Sequence, residues 1–104
     1  MGKYNKLLDE LCEKGDIEGI ENFSKKYIVD WDICLNYACT NGDIKLMNYA
    51  ISNGAYDYYS GYLYACQNGH ISIVKLMLEL ITKNGLEQTE HQNVKEYLNR
   101  CVIP

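Results

Sequence analysis

A chain of 104 residues, 47% apolar and 23% charged, is long enough for one core and too apolar for a disordered segment. A formal charge of −4 excludes the basic stripe that tracks a phosphate backbone, and no apolar run nears the roughly 18–20 residues of a membrane span. Met1-Gly2-Lys3-Tyr4 opens no signal-peptide core, and Lys6 stands where N-myristoylation calls for serine or threonine; the expectation is a cytoplasmic protein with no membrane or nucleic-acid partner.

Tyr4, Leu7, Leu8, Leu11 and Cys12 fall at i, i+3, i+4, i+7 and i+8, the apolar stripe of a helix. Adding 27 to each number gives Trp31, Cys34, Leu35, Ala38 and Cys39, and adding 27 again gives Tyr58, Gly61, Tyr62, Ala65 and Cys66. An aromatic opens each stripe, and small residues close the second and third so that neighbouring helices approach closely. A glycine follows each stripe at Gly15, Gly42 and Gly69, where positive φ ends a helix without strain. Asp16, Asp43 and His70 come next; an aspartate there caps the following helix by accepting from its free amides.

The second helices are expected to bury Ile17, Ile20 and Phe23; Ile44, Met47, Ala50 and Ile51; and Ile71, Val74, Met77 and Leu78. Leu46 and Ile73 make the second and third copies apolar all round, whereas Gly19 at the matching place points to a frayed first unit. Short connections, Tyr27 to Asp30 and Asn53 to Asp57, force consecutive helices into antiparallel pairs. The period breaks after Thr82. Val94, Tyr97, Leu98 and Cys101 then form a one-sided stripe, read as a capping helix with the polar outer face that a repeat array needs at its end. The chain is thus one all-α domain, with repeats at about 4–30, 31–57 and 58–85 and a cap at about 86–102.

The five cysteines are odd in number and contain no Cys-x-x-Cys pair, and three share one repeat position. Buried, reduced thiols are the expectation, with no metal and no redox role.

The run Leu63-Tyr64-Ala65-Cys66-Gln67-Asn68-Gly69-His70-Ile71-Ser72-Ile73-Val74-Lys75-Leu76-Met77, with its copies around Ala38-Cys39 and Leu11-Cys12, resembles the helical core of the ankyrin repeat. Ala-Cys-x-Asn-Gly-His with the later Val-Lys is similar to the short ankyrin repeats of giant amoeba-infecting DNA viruses, and a composition rich in tyrosine, isoleucine, asparagine and lysine fits an AT-rich genome. The likeness spans residues from about 4 to 85. The period of 27 is shorter than the ankyrin 33, and the Thr-Pro-Leu-His opening is replaced by Asp32-Ile33-Cys34-Leu35 and Tyr59-Ser60-Gly61-Tyr62. The projecting β-hairpin fingers are therefore expected to be reduced or absent. The resemblance implies a short ankyrin-like solenoid, intracellular, without catalytic residues or cofactors, that binds a host or viral protein.

No phosphate loop, nucleophile elbow or carboxylate cluster appears. His70 occupies a repeat position, so a structural hydrogen bond is its expected role; Cys34 and His70 are not brought together by spacing. If the first helices line a concave face, the exposed rows run Asn5, Asp32, Tyr59; Asp9, Asn36, Leu63; Glu10, Tyr37, Tyr64; and Glu13, Thr40, Gln67. Asp32, Asn36, Tyr37, Tyr59, Leu63 and Tyr64 are the candidate partner-binding residues, with Trp31 or Tyr56 at the margin and Asp9, Glu10 and Asp32 steering basic partners. The alternative is a structural homo-oligomer that assembles through its aromatic third repeat.

Overall fold

The computed structural model describes residues 2–83, with side chains from Lys6 onward, and over that span the chain is all α. Its helices are α1 Gly2–Lys14, α2 Ile17–Lys26, α3 Trp31–Asn41, α4 Ile44–Ser52, α5 Tyr58–Gln67 and α6 Ile71–Lys83, with no strand among the described residues. The cap expected over 86–102 lies outside the described residues.

The three glycine turns are built alike. Gly15, Gly42 and Gly69 hold φ of 69°, 74° and 73°, the left-handed region where a side chain is strained. After each glycine, the next amide donates five residues back: Asp16 to the Leu11 carbonyl, Asp43 to Ala38 and His70 to Ala65, each at 2.9 Å. This is the six-to-one bond that satisfies an orphan carbonyl at a helix end. Asp16 then accepts from the Gly19 amide at 2.9 Å and Asp43 from the Leu46 amide at 3.0 Å. Such caps contribute about 1 kcal/mol each. His70 instead reaches the previous unit, its Nε2 lying 2.9 Å from the Thr40 carbonyl. Asp30 and Asp57 cap α3 and α5 in the same way, accepting from the Asp32 and Ser60 amides at 3.1 and 3.3 Å.

Each odd-numbered helix packs on the even one that follows it, and α1, α3 and α5 stack in that order. The two interfaces between units repeat contact for contact. Cys12 Sγ lies 3.2 Å from Cys34 Sγ; 27 residues on, Cys39 meets Gly61, where a Cβ would stand 2.9 Å from its sulfur. Asp43 presses on Gly15, its Oδ2 2.6 Å from where a Cβ would sit, and the His70 ring takes the same place over Gly42 at 2.8 Å. Cys34, Leu35, Ala38, Cys39, Tyr62 and Ala65 are fully buried along this seam.

One expectation from the sequence needs correction. Ile44 and Ile71 are 43% and 41% exposed, whereas Leu46 and Ile73 are buried. Each of the exposed pair is the first residue of its helix and lines an open groove at the turns, so the buried stripe starts two residues later. At Gly19 in the first unit, Asp16 Oδ2 and Leu11 Cδ2 stand 2.6 and 2.7 Å from where a Cβ would sit. At the equivalent positions the second and third units carry Ala38 with Leu46 and Ala65 with Ile73.

Cys12, Cys34, Cys39 and Cys66 are buried thiols outside any disulfide; Cys101 lies outside the described residues. Burial pushes the Cys39 thiol up to about 12. Cys12 is raised by its hydrogen bond to Cys34 and by burial.

Candidate functional site

The stacked first helices leave one groove that crosses all three units. It encloses about 330 Å³ and is lined by Asp9 from α1, Ile33, Asn36, Tyr37 and Thr40 from α3, and Tyr64 from α5. Spacing explains the lining. Ile33, Asn36, Tyr37 and Thr40 fall at i, i+3, i+4 and i+7, one face of α3, and Asp9 and Tyr64 stand 27 residues before Asn36 and after Tyr37. The opposite face of α3 carries Cys34, Leu35, Ala38 and Cys39 and is fully buried, which fixes the groove face outward.

Of the six candidate binding residues, the groove gathers Asn36, Tyr37 and Tyr64. The other three are held elsewhere. Asp32 Oδ1 accepts from the amides of Tyr56 at 2.8 Å and Asp57 at 3.0 Å, tying α3 to the connection before α5. That oxygen thus satisfies two loop amides that would otherwise lack an acceptor. Tyr59 lies with its ring stacked on Tyr62, centroids 6.3 Å apart, and it and Leu63 are half-buried against the core. Trp31 turns away from the groove and meets Tyr49 edge to face at 5.6 Å. Tyr56, by contrast, is 73% exposed but outside the groove. Asp9 and Thr40 were placed on this face by their rows; Ile33 was not, although its position one turn before Tyr37 carries the signal.

The groove is electronegative. Burial, the charges of Asp9 and Glu13, and a hydrogen bond to Asp9 together raise the Tyr37 phenol above its ordinary value. The phenol therefore keeps its proton beside Asp9, with which it lines the groove. No lysine or arginine is among the lining residues. Asn36 Oδ1 is sealed from solvent and has no hydrogen-bond partner.

Cys34 faces Cys12 and His70 bonds Thr40, so the thiol and the imidazole do not meet. Among the described residues, no group of three or more His, Cys, Asp and Glu side chains converges as a metal ion requires, and no helix is long and apolar enough to cross a membrane. Comparison of the chain with protein-family models, curated proteins and solved structures found no match.

Proposed function

We propose that the chain is a short ankyrin-like solenoid acting as a non-enzymatic protein-interaction module, intracellular, with a host or viral protein as partner. The observation that carries this reading is the groove on the stacked first helices, where Tyr37 and Tyr64 stand beside Asp9 and Asn36 on a surface built jointly by three units. Stacked repeats characteristically present an extended face of this kind. Tyrosine supplies large contact area with two rotatable angles and a polar tip, which makes it a frequent anchor at protein interfaces. Tyr64, at 40% exposure, is available as such an anchor, and Tyr37 lines the same groove beside Asp9.

The competing homo-oligomer reading draws less support. It relies on an aromatic third unit, yet Tyr62 is fully buried and Tyr58 and Tyr59 pack against the core. Sedimentation of the full chain across concentrations distinguishes the two.

The direct test is affinity purification from the native cell with the intact chain and with Tyr64→Ala and Tyr37→Ala. Truncating an anchor removes about 1–2 kcal/mol or more, so recovery of a specific protein should fall roughly five- to thirtyfold while helicity is unchanged. Equal recovery by all three chains would count against this face.

A further inference from the structure

Asn36 is the residue of the groove whose chemistry is incomplete. A buried carbonyl oxygen without a donor costs about 1–3 kcal/mol, and few are found in folded proteins. Among the described residues nothing supplies that donor: the Asn36 oxygen has no partner where it lies. A half-turn about the Cβ–Cγ bond exchanges the two ends of the amide: it offers the oxygen to the groove and puts Nδ2 where the oxygen has no donor. The rest of the lining specifies what would meet it. Asp9 contributes a carboxylate, Glu13 adds negative field at Tyr37, and no cation answers either within the lining. Tyr37 and Tyr64 contribute two aromatic rings, and Ile33 contributes an apolar wall.

A ligand that suits this set carries positive charge, several N–H donors in a fixed plane and an apolar stem. Guanidinium has five donors in a rigid fork, is always charged and stacks on aromatic faces, whereas an ammonium is a strongly hydrated point charge. We infer that the groove receives an arginine side chain of the protein partner. Its guanidinium donates to Asp9 and to the turned Asn36 oxygen, its plane lies against the tyrosines, and its methylenes run along Ile33. This rests on the reading of the groove as a partner-binding face and names what that face takes.

The test is titration of the full-length, ¹⁵N-labelled chain with acetyl-Gly-Arg-Gly-amide, with the citrulline peptide as neutral isostere and the lysine peptide as the other cation. The arginine peptide should move the Asn36 side-chain amide and the Tyr37 and Tyr64 signals, bind roughly tenfold tighter than citrulline and weaken as salt is raised. Asp9→Asn and Asn36→Leu should each remove most of that preference with the circular dichroism unchanged. Citrulline or lysine binding as well as arginine, indifference to both substitutions, or no binding up to about 10 mM overturns the inference. Tighter binding to an Arg100→Ala chain also overturns it, by assigning the site to the chain's one arginine rather than to a partner. A random peptide library selected on the same chain separates the two levels. Selected peptides that lack arginine but are lost with Tyr64→Ala overturn the arginine while keeping the binding face. Selected peptides indifferent to both Tyr64→Ala and Tyr37→Ala overturn the face itself.

Discussion

The interface between the first and second units and the one between the second and third share their slots and differ in what fills them. At one slot two thiols touch, Cys12 against Cys34, and at its repeat Cys39 lies on the bare backbone of Gly61. At another, the aspartate over Gly15 caps its own helix, while the histidine over Gly42 gives up the cap and bonds the preceding unit. Inside the units, Leu11 reaches into the place a Gly19 side chain would take, and the equivalent positions read Ala38 and Leu46, then Ala65 and Ile73. The lesson is that a slot repeats as a place while the side chains that reach into it change from unit to unit. A glycine or an alanine in such a chain is legible only together with the side chain that leans into it.

The sharpest way to break this comparison is at the Ala38–Leu46 pair. Leu46→Gly should cost about 4–5 kcal/mol, a buried leucine's cavity plus the glycine penalty in a helix, read as a shift of the denaturant midpoint. Adding Ala38→Leu rebuilds the first unit's arrangement in the second, and the double variant should recover about 1–3 kcal/mol of that loss. Simple additivity would show that the two positions do not share one volume.

Next in size is Gly61→Cys, which copies Cys34 into the third unit. Its Cβ would stand 2.9 Å from the Cys39 sulfur and 3.2 Å from Met77 Sδ, so overpacking should cost about 1–3 kcal/mol in the same denaturation. Stability unchanged would mean that α5 shifts freely against α3.

Alkaline pH probes the slot from the other side. The Cys39 thiol rises from an ordinary 9.0 to about 12 in the fold, so between those values the unfolded chain has lost the proton that the folded chain keeps. Stability is therefore fully present below pH 9 and falls as pH rises towards 12, by up to about 1.4 kcal/mol per pH unit for this group. Cys39→Ala should flatten that slope in denaturation at pH 8 and pH 10.5. A slope identical to that of the parent chain would place the alkaline transition elsewhere.

The smallest effect expected is at the turns. Asp43→Ala should cost about 1 kcal/mol of cap, and Asp16→Ala about the same, in thermal melts. His70→Ala should leave α6 capped as before and remove only its bond to the Thr40 carbonyl, again about 1 kcal/mol. Loss of helicity confined to α6 on hydrogen exchange would show that His70 acts as a cap after all.

The helices were legible because local rules decide them. Three glycines at 27-residue spacing, each followed by a polar residue, can close only helix ends, and α2, α4 and α6 begin where that spacing puts them. The buried seam of Cys34, Leu35, Ala38 and Cys39 was legible for the same reason, since periodicity along one helix needs no partner to be read. What escaped depends on chains of contact across units. Ile44 satisfies the helical period but sits at a turn that no neighbour covers. Asp32 looks free on its helix and is occupied by amides 24 and 25 residues away. Tyr59 was assigned to an outer row, yet its ring finds Tyr62 on its own helix and turns towards the core. Half of the candidate site was therefore readable, namely the residues on α3 and α5 whose exposure is set by the buried face behind them.

The groove's span has one more consequence. The main packing between units joins neighbours, α1 on α3 and α3 on α5, so an end unit can open while its neighbours stay folded, as in a short one-dimensional chain of coupled elements. The groove draws its lining from all three units, with Asp9 at one end and Tyr64 at the other. An occupant that touches both ends is present only when every unit is closed. It therefore converts a row of pairwise couplings into a single cooperative transition, and its affinity is paid back as protection of the outermost helix from local unfolding.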